Sequence, residues 1–126
     1  MTATPPDLPV DVLTLAALDL RGAQVQDWRH ERDAFSWTLL TGDADRGHEL
    51  VAVTYVGAVV LHVNGRELDA AVRGAAEVAR SEVVPAAQGG YEHHVTLRAA
   101  YRLVVRFWSV DLRRMPAPDH LRRPHP

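Results

Sequence analysis

Few groups in this chain can do acid–base or ligand chemistry, and their spacing limits what they can do. The 126 residues hold seven histidines and sixteen carboxylates but no cysteine, and all fourteen basic side chains are arginine. Thiolate nucleophiles, disulfides, iron–sulfur clusters and Cys-ligated zinc are therefore excluded, as are a Walker-type phosphate lysine and Schiff-base catalysis. His93 and His94 are neighbours in an alternating segment. Adjacent strand residues point to opposite faces, so these two imidazoles cannot chelate one metal. The alternation assigns His93 to the apolar face, as a hydrogen-bonded core histidine, and His94 to the outer face between Glu92, Thr96 and Val104. A cavity that joined His62 to His93 would suit a metal or acid–base catalysis, and it defines a rival reading, a small-molecule-binding or hydrolytic enzyme. No spacing in the chain adds to it.

Asp43-Ala44-Asp45-Arg46-Gly47 opens like a calcium loop, but an EF-hand places glycine sixth and a bidentate glutamate twelfth. Here glycine is fifth and the twelfth residue is Thr54, so a polar hairpin loop is the better reading. Gly-x-Ser-x-Gly, His-Glu-x-x-His and dinucleotide-loop patterns are absent, and Ser36, Ser81 and Ser109 have no local activating context. The sequence thus gives no catalytic residue, metal ligand or cofactor, and the reading leans away from an enzyme.

A binding surface is easier to assemble. Tyr91, His93, Val95 and Leu97 alternate with Glu92, His94, Thr96 and Arg98; Tyr101, Leu103, Val105 and Phe107 alternate with Arg102, Val104, Arg106 and Trp108. Residues facing each other across a sheet share a face, so the apolar faces coincide only with an odd-length connection. That places Tyr91 by Phe107, Val95 by Leu103 and Glu92 by Arg106, joined through three or five residues around Arg98 to Ala100. Glu92, His94, Arg102, Arg106 and Trp108 then line one outward face, and Trp and Arg are the residues most enriched at binding hot spots. Either this face is open, or a helix or the N-terminal segment covers it and Trp108 is core. Trp28 and Trp37, on an earlier hairpin, can join the surface or the core.

Other elements must hold that hairpin. Residues 1–9, with three prolines, read as an extended lead-in. Asp11 can cap a helix in which Val12, Leu15, Ala16 and Leu18 recur at helical spacing. Ala23–Trp28 and Phe35–Leu40 form a hairpin about a polar turn at His30–Asp33. Thr41–Gly47 is a loop, and Glu49–Tyr55 and Ala58–Val63 are strands broken at Gly57. Asn64-Gly65 signals a turn. A short helix follows over Leu68–Ala76, and residues 77–84 then continue it or begin a strand; a strand fits better because Val83-Val84-Pro85 ends a helix poorly. Residues 115–126, with four prolines, read as a Pro/Arg-rich tail.

This length suits one domain with its own core. The fold class is α+β, mostly an antiparallel sheet of six or seven strands, as a half-barrel or sandwich, with one or two short helices. The longest apolar run, Val51–Val63, is too short for a membrane helix, which needs ~20 residues, and no secretory signal is visible, so a cytoplasmic location is expected. Residues 1–50 carry nine acidic and four basic side chains, a net −5; residues 98–126 carry two and seven, a net +5. Seven arginines over that stretch fall short of a nucleic-acid tail and most simply make a solvated face. Eighteen alanines beside an all-arginine basic set point to a GC-rich genome.

Leu20-x-x-Ala23-x-Val25, Tyr55-x-Gly57 and Gly90-Tyr91-Glu92-His93 together resemble small uncharacterised bacterial β-sheet domains, some grouped with immunity proteins of contact-dependent or polymorphic toxin systems. The resemblance spans about residues 18–112 and implies an antiparallel sheet with a non-catalytic, protein-binding role. The family-like opening Leu-His-Asp-Ala is here Leu20-Arg21-Gly22-Ala23, so any role of that His-Asp pair is missing. The expected function is a non-enzymatic cytoplasmic module for a protein partner or for self-association, with a homodimeric structural protein as a further alternative.

Overall fold

Runs of alternating side chains pair into antiparallel ribbons, and a computed structural model, which describes residues 10–43, 47–62, 64–98 and 101–118, shows how they stack. Helix α1 (Val10–Ala17) precedes a meander of β1 (Gln24–Glu31), β2 (Ala34–Asp43) and β3 (Gly47–Val56). Strand β4 (Val59–Leu61) leads into helix α2 (Gly65–Arg73), followed by β5 (Val78–Pro85), β6 (Tyr91–Leu97), β7 (Tyr101–Phe107) and β8 (Ser109–Pro116). The described strands form two four-stranded antiparallel sheets, ordered β1-β2-β3-β8 and β4-β7-β6-β5. The α+β class is as expected, with one strand more than the sequence suggested, namely β8.

The two sheets share a continuous two-stranded ribbon. β3 continues through Gly57 and Ala58 into β4, and β7 continues through Trp108 into β8. β3 pairs with β8, and β4 with β7, in one unbroken register that sets Gly57 opposite Trp108 at the bend. Strands that switch sheets in this way make the corners of a sandwich. The inward phase slips there. Val51, Val53 and Tyr55 are buried before the bend and Ala58 after it; Leu103, Val105 and Phe107 are buried before the partner bend and Val110 after it. Gly57 has φ 69°, and a Cβ on it would meet Trp108 Cδ1 at 2.5 Å. Gly57→Ala is therefore expected to lose about 1–2 kcal/mol from its left-handed backbone, measured by urea unfolding. Wild-type stability would show that the corner tolerates a side chain.

Between the sheets, Phe35, Trp37, Leu39 and Val53 face Val95, Leu103, Val105 and Phe107 in one core. Val12 and Leu15 of α1 and Leu68 and Ala71 of α2 belong to the same core; α1 packs against β8 and β5, and α2 against β1. The Gly22 and Val78 amides donate to the Val78 and Ala23 carbonyls, both at 2.8 Å, lashing the start of β1 to the start of β5. A single isolated bridge beside them, Gln24 to Glu77, makes no ladder, so the sheets stay an open sandwich.

The last hairpin has the expected register: Tyr91 opposite Phe107, Glu92 opposite Arg106 and Val95 opposite Leu103, with Leu97 opposite Tyr101. This leaves three connecting residues, of which 99 and 100 lie outside the described ones. Residues 78–85 are strand, as favoured. Other local readings shift. Asp11 lies inside the first turn of α1 and does not precede it. Asn64 opens a helix, not a hairpin: its side chain accepts the Glu67 amide (2.9 Å) while Glu67 accepts the Asn64 amide (3.1 Å). An Asn in extended backbone serves a turn or an N-cap equally well. The loop read at 41–47 is narrower, since β2 reaches Asp43 and β3 begins at Gly47; residues 44–46 of the calcium-like motif lie outside the described ones.

Strand β8 also enters the segment read as tail, through Met115 and Pro116, and Ala117 behind it is buried. Proline is tolerated there because β8 is an edge of its sheet. The lead-in 1–9 and residues 119–126 lie outside the described ones.

Candidate functional site

The outward side chains of the second sheet fall into rows fixed by strand register. Val84, Glu92, Arg106 and Val59 form the row nearest the corner; Glu82, His94, Val104 and Leu61 form the next; Arg80, Thr96 and Arg102 form the one beyond. Four of the five candidate surface residues meet here in one network. Glu92 Oε1 accepts from His94 Nε2 at 2.9 Å, and Oε2 accepts from Arg106 Nε (3.2 Å) and Nη2 (3.1 Å). Arg102 Nη2 lies 3.4 Å from His94 Nδ1. A guanidinium only donates, so Nδ1 is the acceptor and Nε2 carries the proton given to Glu92. The hydrogen bond from His94, then the bonds and charge of Arg106, hold the Glu92 carboxyl below the usual carboxylate range. Val104 is 1% exposed although it points outward, with His94 and Leu61 as its direct cross-strand neighbours.

Trp108 stands apart from this network. It follows β7, at the corner, and its backbone N–H donates to the Val56 carbonyl at 2.9 Å. Its indole lies across three glycines: a Cβ would meet the ring at 2.5 Å from Gly57, 2.9 Å from Gly89 and 3.3 Å from Gly90. The side chain is nonetheless 63% exposed, and Val56 and Val59 beside it are exposed too. Three of the five exposed large apolar residues among those described thus gather at the corner. Trp108 is therefore not core, and the N-terminal residues 1–9 lie outside the described ones. Trp28 and Trp37 lie elsewhere: Trp28 Nε1 donates to Asp69 Oδ1 at 2.9 Å, and Trp37 is core.

His93 is fully buried, as its place on the apolar face required. Its Nδ1 lies 2.7 Å from the Tyr55 hydroxyl, its Nε2 lies 2.7 Å from Ser81 Oγ, and Trp37 Nε1 donates to the same tyrosine oxygen at 3.0 Å. The direction of this chain follows from its first member. The indole only donates, so Tyr55 accepts from Trp37, and among the described residues its proton has one destination, His93 Nδ1. His93 is then the Nε2–H tautomer and donates to Ser81. A serine that accepts from the imidazole is not being activated by it. Burial, and secondarily the neighbouring His94, lower the His93 pKa to about 3, while burial pushes the Tyr55 hydroxyl well above its ordinary value.

His62 is exposed at the end of β4, whereas His93 is buried. Among the described residues no group of three or more His, Cys, Asp or Glu side chains is placed to hold a metal. A hollow of about 510 Å³ beside the β2–β3 hairpin contains an arginine already engaged: Arg114 donates to Glu49 Oε1. Sequence reasoning missed Tyr55 and Ser81 as partners of His93, and Trp37 as the donor to Tyr55. It also missed Arg80 and Glu82, which with His94, Thr96 and Arg102 line a hollow of about 300 Å³ on the candidate face. No described helix is long and apolar enough to cross a membrane. Comparison with protein-family models, curated proteins and solved structures gives no match.

Proposed function

We propose that this chain is a non-enzymatic, cytoplasmic protein-binding module, immunity-like in kind, that holds its partner on the outer face of the β4-β7-β6-β5 sheet. The observation that most supports this is the indole of Trp108, 63% exposed yet seated on three glycines and one row from Arg106. An aromatic ring already held in place loses little freedom when a partner covers it, and tryptophan and arginine dominate binding hot spots. Val56 and Val59 widen the apolar contact. The rival enzymatic reading needs a histidine free to exchange protons, whereas both ring nitrogens of His93 are occupied. The immunity-like label rests on the resemblance of the Tyr55-x-Gly57 and Gly90–His93 segments, and the cytoplasmic location on a chain without cysteine.

Trp108→Ala is expected to keep the wild-type circular dichroism spectrum and melting temperature. It is also expected to weaken binding to a co-purifying partner, or to a second copy, by about 30-fold or more, the ~2 kcal/mol of a hot spot. Isothermal titration with light scattering measures both cases. Unchanged binding, or substrate turnover by the pure protein, would overturn the proposal.

A further inference from the structure

We infer that the hollow at the far end of this face is a carboxylate site, in which Arg80 and Arg102 clasp an aspartate or glutamate side chain of the protein partner across Thr96. This rests on the protein-binding reading and adds the chemistry of the partner. Arg80, Thr96 and Arg102 occupy one row of three adjacent strands. Neighbouring strands lie about 4.8 Å apart, so both guanidinium groups reach over the central threonine. Their charges are unspent. Of the other arginines, Arg98 is paired with Glu77, Arg106 with Glu92, Arg113 with Asp111 and Arg114 with Glu49, whereas Arg66 and Arg73 of α2 have no ion pair among the described residues either. Arg80 and Arg102 have no carboxylate within ion-pair distance among those residues, and Arg102 makes only the long contact to His94. Two unneutralised guanidinium groups and a hydroxyl converge on a concavity of about 300 Å³.

The hollow also selects among anions. Glu82 lines it one row away, and Glu92 lies one row further. A dianion such as phosphate meets repulsion from both. A singly charged, planar carboxylate matches the guanidinium fork in two parallel hydrogen bonds with less of that penalty. Arg102 and Trp108 are six residues apart, about 20 Å of strand and bend. The partner surface implied is therefore acidic at one end and apolar at the other.

The test is a titration of the full chain with the singly charged peptide acetyl-Gly-Glu-Gly-amide and, separately, with inorganic phosphate, following arginine Nε–Hε and Thr96 amide resonances. Saturable shifts confined to Arg80, Arg102 and Thr96 are expected with the peptide. Arg102→Gln should raise its dissociation constant at least about tenfold, and Arg113→Gln should leave it unchanged. Shifts spread over all arginines, saturation by phosphate but not by peptide, or no saturation would each overturn the site. Trp108→Ala separates the two proposals. If it loses the partner while the peptide never saturates, the module stands and the carboxylate site fails. If the peptide saturates in both proteins while partner affinity is unchanged, the site stands and the Trp108 face fails.

Discussion

Tyr55→Phe is expected to destabilise the fold by about 2–6 kcal/mol, and Ser81→Ala by only about 0.5–1.5 kcal/mol. The hydroxyl of Tyr55 serves two buried groups at once, accepting from Trp37 Nε1 and donating to His93 Nδ1. Deleting it strands both away from water, each at a cost of about 1–3 kcal/mol. Changing tautomer does not rescue His93, because its Nδ1 then becomes an orphaned donor. Ser81 is only partly buried, so water can replace its oxygen. Trp37→Phe added to Tyr55→Phe removes one orphan, and the double variant should lose less than the two single losses combined. Urea unfolding followed by circular dichroism measures Tyr55→Phe, Trp37→Phe, their double variant and Ser81→Ala against the wild type. Equal losses for Tyr55→Phe and Ser81→Ala would mean that the chain does not run from Trp37 outward.

Acidification is the second large effect. An unfolded histidine takes up a proton near pH 6.5, whereas folded His93 does so only at about 3. Between those values the unfolded state binds more protons, so stability falls as pH falls, by about 1.4 kcal/mol per pH unit. The contribution is complete above the unfolded value and is lost on descending towards the folded one. Glu92 adds to the acid side: its depressed carboxyl stabilises the fold above the unfolded carboxylate value and stops doing so as pH falls through the folded one. Unfolding free energies at pH 7, 6, 5 and 4 test the slope, and ¹⁵N imidazole shifts test its source. His93 should remain the neutral Nε2–H tautomer at pH 5. A His93 ring that titrates near 6.5 would sink the account.

How much of this was legible depended on whether strand period sufficed. The register of β6 and β7 follows from parity alone, and so does the burial of His93. Parity failed where the ribbon bends. Val110 is buried at an even position after three buried odd ones in β7, so the continuation into β8 reads as disorder in the pattern. It failed again at Val104, where cross-strand neighbours cover an outward side chain. Tyr55 and His93 sit on different sheets, and no strand period says which residues of two stacked sheets will touch. Arg80 joins Thr96 and Arg102 only once the β5–β6 register is known, and its bulge near Val78 hides that from sequence.

The ribbon shared by the two sheets also sets an order of events on the ribosome. β3 and β4 emerge early, yet their partners β8 and β7 are the last described strands to be made. Until then the nascent chain offers another polypeptide an unsealed strand edge, the commonest route to edge-to-edge association. Strand β8 therefore acts as a latch. Its pairing with Glu49 through Val56, and the bond from the Ala117 amide to the His48 carbonyl, close that edge. Slow synthesis or cleavage just after Trp108 would leave a chain with most of its core residues but an open edge, and such a chain should aggregate before it unfolds.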